Sequence, residues 1–275
     1  MEYHEILRAV RERSPLVQCI TNFVTVNDCA NILLAAGASP TMAQDIREVE
    51  EAVAGANGLV CNLGAIDLVD SMILAGKRAN ELGIPVVLDP VAAGGTSLRR
   101  DLSKKLLSEV RFTAIRGNAS EIRALAGQAS LGSGVDVAAW DTITAENLPQ
   151  SMELIRNLAQ RTGAVIAVSG VMDVVSDGTQ TVLLHNGCAT MARITGSGCM
   201  LTTLIGAFCA AVPEIPFEAT CAAMAAMGVC GEIAEEQRLK NKTGNATFRT
   251  DLIDAVFNLT EQELKERIRY ENYKG

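Results

Sequence analysis

The chain has 275 residues, 48% of them hydrophobic and only 4% aromatic, with a formal net charge of -8 at pH 7 and an isoelectric point near 5.0. An acidic chain of this kind repels nucleic acid and anionic membrane surfaces, so neither is expected as a partner. Length and apolar content suit a single domain over residues 1–275, and a core of Ala, Val, Leu, Ile and Met lets helices lie close on a sheet.

The opening Met1-Glu2-Tyr3-His4-Glu5 is charged and has no apolar run of the signal-peptide kind, and no window reads as a clean membrane span. The eight cysteines (19, 29, 61, 188, 199, 209, 221 and 230) lie scattered without CxxC spacing, which argues against a zinc site and for a reduced, cytoplasmic setting. Continuous apolar runs at Leu16 to Ile20, Gly58 to Cys61, Pro85 to Leu88, Phe112 to Ile115 and Ala164 to Val168 predict buried parallel strands. Helical patterns at Asn27 to Ala36, Asp45 to Ala54, Asp67 to Leu82 and Leu98 to Val110 alternate with them, as crossover connections require. Val171 to Val175 and Thr181 to His185, joined by a polar Gly-containing turn, predict an antiparallel hairpin. From Gly198 the chain reads as helix, with Ala219 to Leu239 a buried one and Glu261 to Tyr273 a charged, solvated one. The fold class expected is α/β with a central, mainly parallel sheet.

Each predicted parallel strand ends in a polar cluster: Thr21-Asn22, Asn62-Leu63-Gly64, Asp89-Pro90, Arg116-Gly117-Asn118 and Ser169-Gly170. Open α/β sheets bind ligands outside just those strand ends. Asp89, stopped by Pro90, is a candidate metal-associated acid, and on its own reads equally well as a turn-forming Asp-Pro. Glu121 follows Asn118 by three residues, and the pair is either a second oxygen donor to magnesium or a helix cap. Arg116 can pair two phosphate oxygens at once, or form a surface ion pair. The turn Thr195-Gly196-Ser197-Gly198-Cys199 opens a long small-residue helix, where backbone N–H groups and the helix field favour a phosphoryl group and would lower the Cys199 pKa toward neutrality. Taken alone, this turn is as well explained by a glycine loop with a buried structural cysteine. Neither His4 nor His185 lies near a motif, and the P-loop and dinucleotide fingerprints are missing.

With Asp-Pro, NxxE and TGSGC in this order, the chain resembles the ribokinase-like superfamily, kinases that phosphorylate small-molecule hydroxyls with ATP and magnesium on a three-layer α/β/α sandwich. The segments Gln18-Cys19-Ile20-Thr21-Asn22-Phe23-Val24, Gly37-Ala38-Ser39-Pro40-Thr41-Met42, Ile115 to Glu121 and Thr195 to Cys199 resemble, within it, the hydroxyethylthiazole kinases of thiamine salvage. Cys199, where most of the superfamily has aspartate, is the most specific position. The resemblance implies ATP-dependent phosphorylation of the primary hydroxyl of 4-methyl-5-(2-hydroxyethyl)thiazole. It makes Cys199 the base, with Gly196, Ser197 and Gly198 holding the transferred phosphoryl group. It assigns Asn22, Met42 and Gly196 to the thiazole, Arg116, Asn118, Ser169 and Thr195 to the nucleotide, and Asp89 and Glu121 to magnesium. It also implies a homotrimer with active sites at subunit interfaces. Ala92 stands where the family commonly has glycine, Ser169 where it has threonine, and Gly244 to Phe248 departs from its usual glycine-proline form.

Overall fold

Short apolar segments that are buried on both faces become the strands of one sheet, as parallel strands covered by crossover helices must be. The computed structural model describes residues 1–127, 143–144 and 147–274. Among these, β1 (Leu16–Ile20), β2 (Ser39–Thr41), β3 (Gly58–Asn62), β4 (Val86–Asp89), β5 (Ala114–Asn118) and β6 (Val165–Ser169) are parallel, and β7 (Asp173–Ser176), β8 (Thr181–Leu184) and β9 (Tyr270–Asn272) continue the sheet antiparallel. The strand order is 2-1-3-4-5-6-7-8-9.

Alternation along the strands separates two cores. Val60 and Val87 join the core built with α1 (Tyr3–Arg13), α2 (Val26–Ala36), α8 (Ser197–Ala211), α9 (Pro216–Asn241), α10 (Asn245–Asn258) and α11 (Glu261–Arg267). Leu59, Cys61, Val86 and Leu88 face the other, under α3 (Val49–Ala54), α4 (Val69–Leu82), α5 (Ser97–Glu109), α6 (Ala119–Leu125) and α7 (Leu148–Thr162). The result is the expected α/β/α sandwich. Helix α8 lies close on the sheet because each carries a glycine at the contact: a Cβ on Gly206 would sit 2.5 Å from Val60 Cγ2, and one on Gly58 would sit 3.0 Å from Ala210 Cβ. Helix α9 is long and apolar enough by composition to cross a bilayer, and 83% of its apolar window is buried inside the fold.

Several elements differ from expectation. Strand β5 starts two residues later than predicted and runs on to Asn118, because β6 pairs with it through Asn118↔Ser169; Arg116 is therefore a strand residue and not part of a following loop. Helix α3 is shorter at its start, since the Asp45 carboxylate takes the Arg47 N–H (2.9 Å) and folds residues 45–48 into a turn. Strand β2 and helices α1 and α7 stand where the sequence patterns place no element. The predicted helix over Glu261 to Tyr273 stops at Arg267, and its last residues become β9. Tertiary contacts impose that strand: Arg269 donates to Glu232 Oε1 (2.6 Å) and to the His185 carbonyl (2.8 Å), and its N–H reaches Asn186 Oδ1 (2.7 Å).

Candidate active site

The C-terminal ends of β1, β3, β4, β5 and β6 open on one rim of the sheet, and the start of α8 lies against it. Gly196 makes the turn into α8 at φ +87, a conformation that L side chains rarely adopt, and a Cβ there would also meet Thr25 Cγ2 at 2.7 Å. Helix α8, like α2, α3, α4, α7, α9 and α10, has no side-chain cap. The first-turn N–H groups of Ser197, Gly198 and Cys199 are thus left for an anion, where the helix field favours it.

Cys199 sits in that turn within a polar network. Its sulfur accepts from Asn62 Nδ2 (3.2 Å) and Asn22 Nδ2 (3.5 Å). Asn22 in turn accepts on Oδ1 from the N–H groups of Val24 (3.1 Å) and Thr25 (3.2 Å), so it is a turn asparagine as well as a neighbour of the thiol. Asp89 is buried at the end of β4, and its Oδ2 accepts from Asn62 Nδ2 (2.9 Å) and Thr202 Oγ1 (3.0 Å). Burial pushes the Asp89 carboxyl up to about 6, with Arg116 opposing and Glu121 adding to the rise. The Cys199 thiol is raised, not lowered: burial first, then the Asp89 charge, outweigh the hydrogen bonds from Thr25, Asn62 and Asn22. The expectation of a thiol near neutrality is therefore corrected.

Beside this network lies a cleft of about 620 Å³ lined by Arg116, Asn118, Ser169, Ser197 and Gly198, with Met191, Met224 and Met227 as an apolar wall. Arg116 donates through Nη2 to Ser169 Oγ. Thr195 is exposed, and neither it nor Gly196 lines this cleft. Asp173, on β7, does line it and escaped the sequence reading, because an acid inside a hairpin strand carries no motif. Its Oδ1 accepts the Gly170 N–H (2.9 Å), and its carboxyl is pushed up to about 7 by burial, against the Gly170 bond and the Arg116 charge. A folded-state value above the usual 3.8 means that the protonated acid favours the fold. That advantage is complete below pH 3.8 and is lost as pH rises through about 7. Asp173→Asn is expected to match the parent protein in thermal melts at pH 4 and to exceed it at pH 8 by about 2 kcal/mol, partial solvent contact having reduced the full effect. Equal melting shifts at both pH values would remove the charge as the cause.

Glu121 caps α6. Its Oε2 accepts the Asn118 N–H (2.9 Å) while Asn118 Oδ1 accepts the Glu121 N–H (2.9 Å), the reciprocal pair of a capping box. Its Oε1 accepts the Ala92 N–H (2.8 Å), which ties the turn after Asp89 to α6. Ala92 holds φ at 54, in the left-handed region that favours glycine. Ala92→Gly is expected to raise unfolding stability by about 1 kcal/mol in denaturant melts, the relief of strain exceeding the entropy that glycine adds to the unfolded chain. Among the described residues no group of three or more His, Cys, Asp or Glu side chains could hold a metal. Asp89 and Glu121 nonetheless suit magnesium, which takes one or two carboxylates and completes its shell with water and phosphate oxygens.

The Gly196 turn, with Cys199 in the first turn of the helix it opens, thus stands beside a cleft of about 620 Å³. Residues 7–262 match the model of the hydroxyethylthiazole kinase family. The chain belongs to that family. It is 46% identical over 271 residues to the hydroxyethylthiazole kinase of Clostridium acetobutylicum, covering 98% of this chain and 99% of that one. It is likewise 46% identical over 264 residues to that of Desulfovibrio desulfuricans, covering 92% of each. The solved hydroxyethylthiazole kinase protein of Pyrococcus horikoshii OT3 superposes with a TM-score of 0.86 at 37% identity, covering 99% of both chains. A ribokinase-like superfamily protein of Enterococcus faecalis, at 12% identity and a TM-score of 0.62 with 94% of this chain and 95% of that one covered, shares the fold alone.

In this hydroxyethylthiazole kinase family member, Met42 follows β2 at the sheet edge beside β1 and packs, half-buried, against the α8 core. Phe23 and Val24, next to Asn22, are 91% and 56% exposed. All eight cysteines are free.

Proposed function

We propose that this protein transfers the γ-phosphate of ATP to the primary hydroxyl of 4-methyl-5-(2-hydroxyethyl)thiazole. The carrying observation is the uncapped α8 start with Cys199 in its first turn, flanked by the Asn22–Asn62–Asp89 network on one side and the Arg116 cleft on the other. The nucleotide occupies the cleft, with Arg116 and Ser169 at its phosphates and Asn118 near them. Asn22, Met42 and Gly196 hold the thiazole, and Thr195 leads into the phosphoryl-binding turn. The substrate oxygen bonds to the γ-phosphorus, the bond from that phosphorus to the bridging oxygen breaks, ADP leaves, and the hydroxyl proton passes to Cys199 in its thiolate form, giving the thiol. The N–H groups of Ser197, Gly198 and Cys199 meet the charge on the phosphoryl oxygens, and positioning contributes more than basicity because such transition states are loose. Asp89 and Glu121 would hold magnesium, which neutralises phosphate charge when bound.

The exposed Phe23 and Val24 beside the thiazole residues support a homotrimer that covers them and completes each site at a subunit interface. Eight unpaired cysteines support a reducing, cytoplasmic setting. The deciding assay measures ADP release with ATP and magnesium in the presence of hydroxyethylthiazole, hydroxymethylpyrimidine, pyridoxal or no acceptor, with the product checked by mass. Turnover with the thiazole alone is expected. Preference for another acceptor overturns the substrate assignment, and nucleotide binding without turnover on any acceptor makes the protein a sensor.

A further inference from the structure

We infer that Asn62 is a positioning residue of the transfer site, fixing the Cys199 sulfur and the Asp89 carboxylate in a single arrangement. This inference rests on the kinase reading above. Asn62 ends β3 and is 1% exposed, paired in register with Asp89 at the end of β4. A primary amide carries two hydrogens and accepts about two more bonds. Here all four are used: Nδ2 donates to Asp89 Oδ2 (2.9 Å) and Cys199 Sγ (3.2 Å), and Oδ1 accepts from Asn22 Nδ2 (3.1 Å) and the Gly64 N–H (2.8 Å).

The backbone decides which way the amide faces. The Gly64 N–H can only donate, so the oxygen must lie on that side and the NH₂ must face the acid and the thiol. The loop also makes room for this orientation, since a Cβ on Gly64 would sit 2.6 Å from Asn62 Oδ1 and 2.9 Å from Asn22 Nδ2. Aspartate would keep the shape of residue 62 and lose both donors, and alanine would lose the whole link. Strand β4 carries Asp89 and helix α8 carries Cys199, and the Asn62 side chain bonds to both.

The test compares Asn62→Ala and Asn62→Asp with the parent protein in steady-state turnover, and repeats Asn62→Ala in a Cys199→Ala background with product counted by mass. Losing donors to ionisable groups is expected to lower kcat roughly ten- to a hundred-fold. KM for the thiazole alcohol and for ATP should stay within about three-fold, with circular dichroism unchanged. Without the Cys199 sulfur, Asn62→Ala should lose the part of its penalty that acts through the sulfur and keep the part that acts through Asp89, because residues that act as a unit are not additive. Parental kcat in both variants, a KM loss as large as the kcat loss, or the full penalty persisting in the Cys199→Ala background would each overturn the inference. If the parent protein prefers another acceptor, the substrate reading fails and the same comparison is run with that acceptor. A parent protein that turns over no acceptor overturns both.

Discussion

Cys199→Ala is expected to lower kcat by roughly 10² to 10⁴-fold with little change in KM for the thiazole alcohol, the range for losing a positioned proton acceptor. The sulfur lies among donors that select its position, Asn62 Nδ2 at 3.2 Å and Asn22 Nδ2 at 3.5 Å. It stands in the first turn of α8, whose N–H groups are proposed to meet the phosphoryl group. Burial and the Asp89 charge raise its pKa, so at neutral pH the thiol keeps its proton and the rate should climb as pH moves into the alkaline range. Cys199→Asp should retain turnover, because the same amides can donate to a carboxylate, and should lose that alkaline climb, because the carboxylate is already ionised. Initial rates of the three proteins between pH 6 and 10 decide the matter. An alanine variant with parental kcat ends the base assignment, and an aspartate variant that still climbs with pH moves the titrating group elsewhere.

Gly198→Ala should damage nucleotide use without damaging the fold. A Cβ at residue 198 would lie 3.1 Å from Arg116 Cζ and Nη2 and closer still to Nη1. The obstacle is the far end of a flexible side chain, so the helix keeps its place and the guanidinium must leave the turn. Arg116 bonds Ser169 from that position and lines the cleft, so displacing it would remove the cation proposed for the nucleotide phosphates. We expect KM for ATP to rise and kcat to fall, each roughly ten-fold, with melting temperature nearly unchanged. In an Arg116→Ala background the glycine substitution should add little. Unchanged kcat/KM for ATP would show that the close contact has no bearing on phosphate binding.

The strand ends were legible because buried parallel strands are written as apolar runs, and the polar residue that follows each run stands out in the sequence. Asn22, Asp89, Arg116 and Ser169 all come to the same rim for that reason. The glycine turn was legible because φ +87 at Gly196 leaves little choice of residue. The Ala92 departure is visible in the sequence, but its cost is not, since only the fold shows that residue 92 is left-handed. The Asn118-x-x-Glu121 spacing reads equally well as a helix cap or as a donor to magnesium. The fold uses the pair as the cap of α6.

Other features have no local signature. Strand β9 reads as a charged helix until β8 and the Glu232–Arg269 pair claim it. The thiol pKa depends on an acid 110 residues away in the chain, and desolvation by the whole fold reverses the sign expected from the helix start alone. Asp173 faces the cleft only because β7 turns back antiparallel on β6. The sequence by itself determined the alternating α/β order, the parallel strands and the glycine turn, since apolar periodicity and backbone sterics are properties of neighbouring residues. The tertiary structure decided the Asn62 hub, the raised Cys199 thiol and the place of Arg116 over Gly198, because hydrogen-bond partners, burial and close contacts arise between residues distant in the chain.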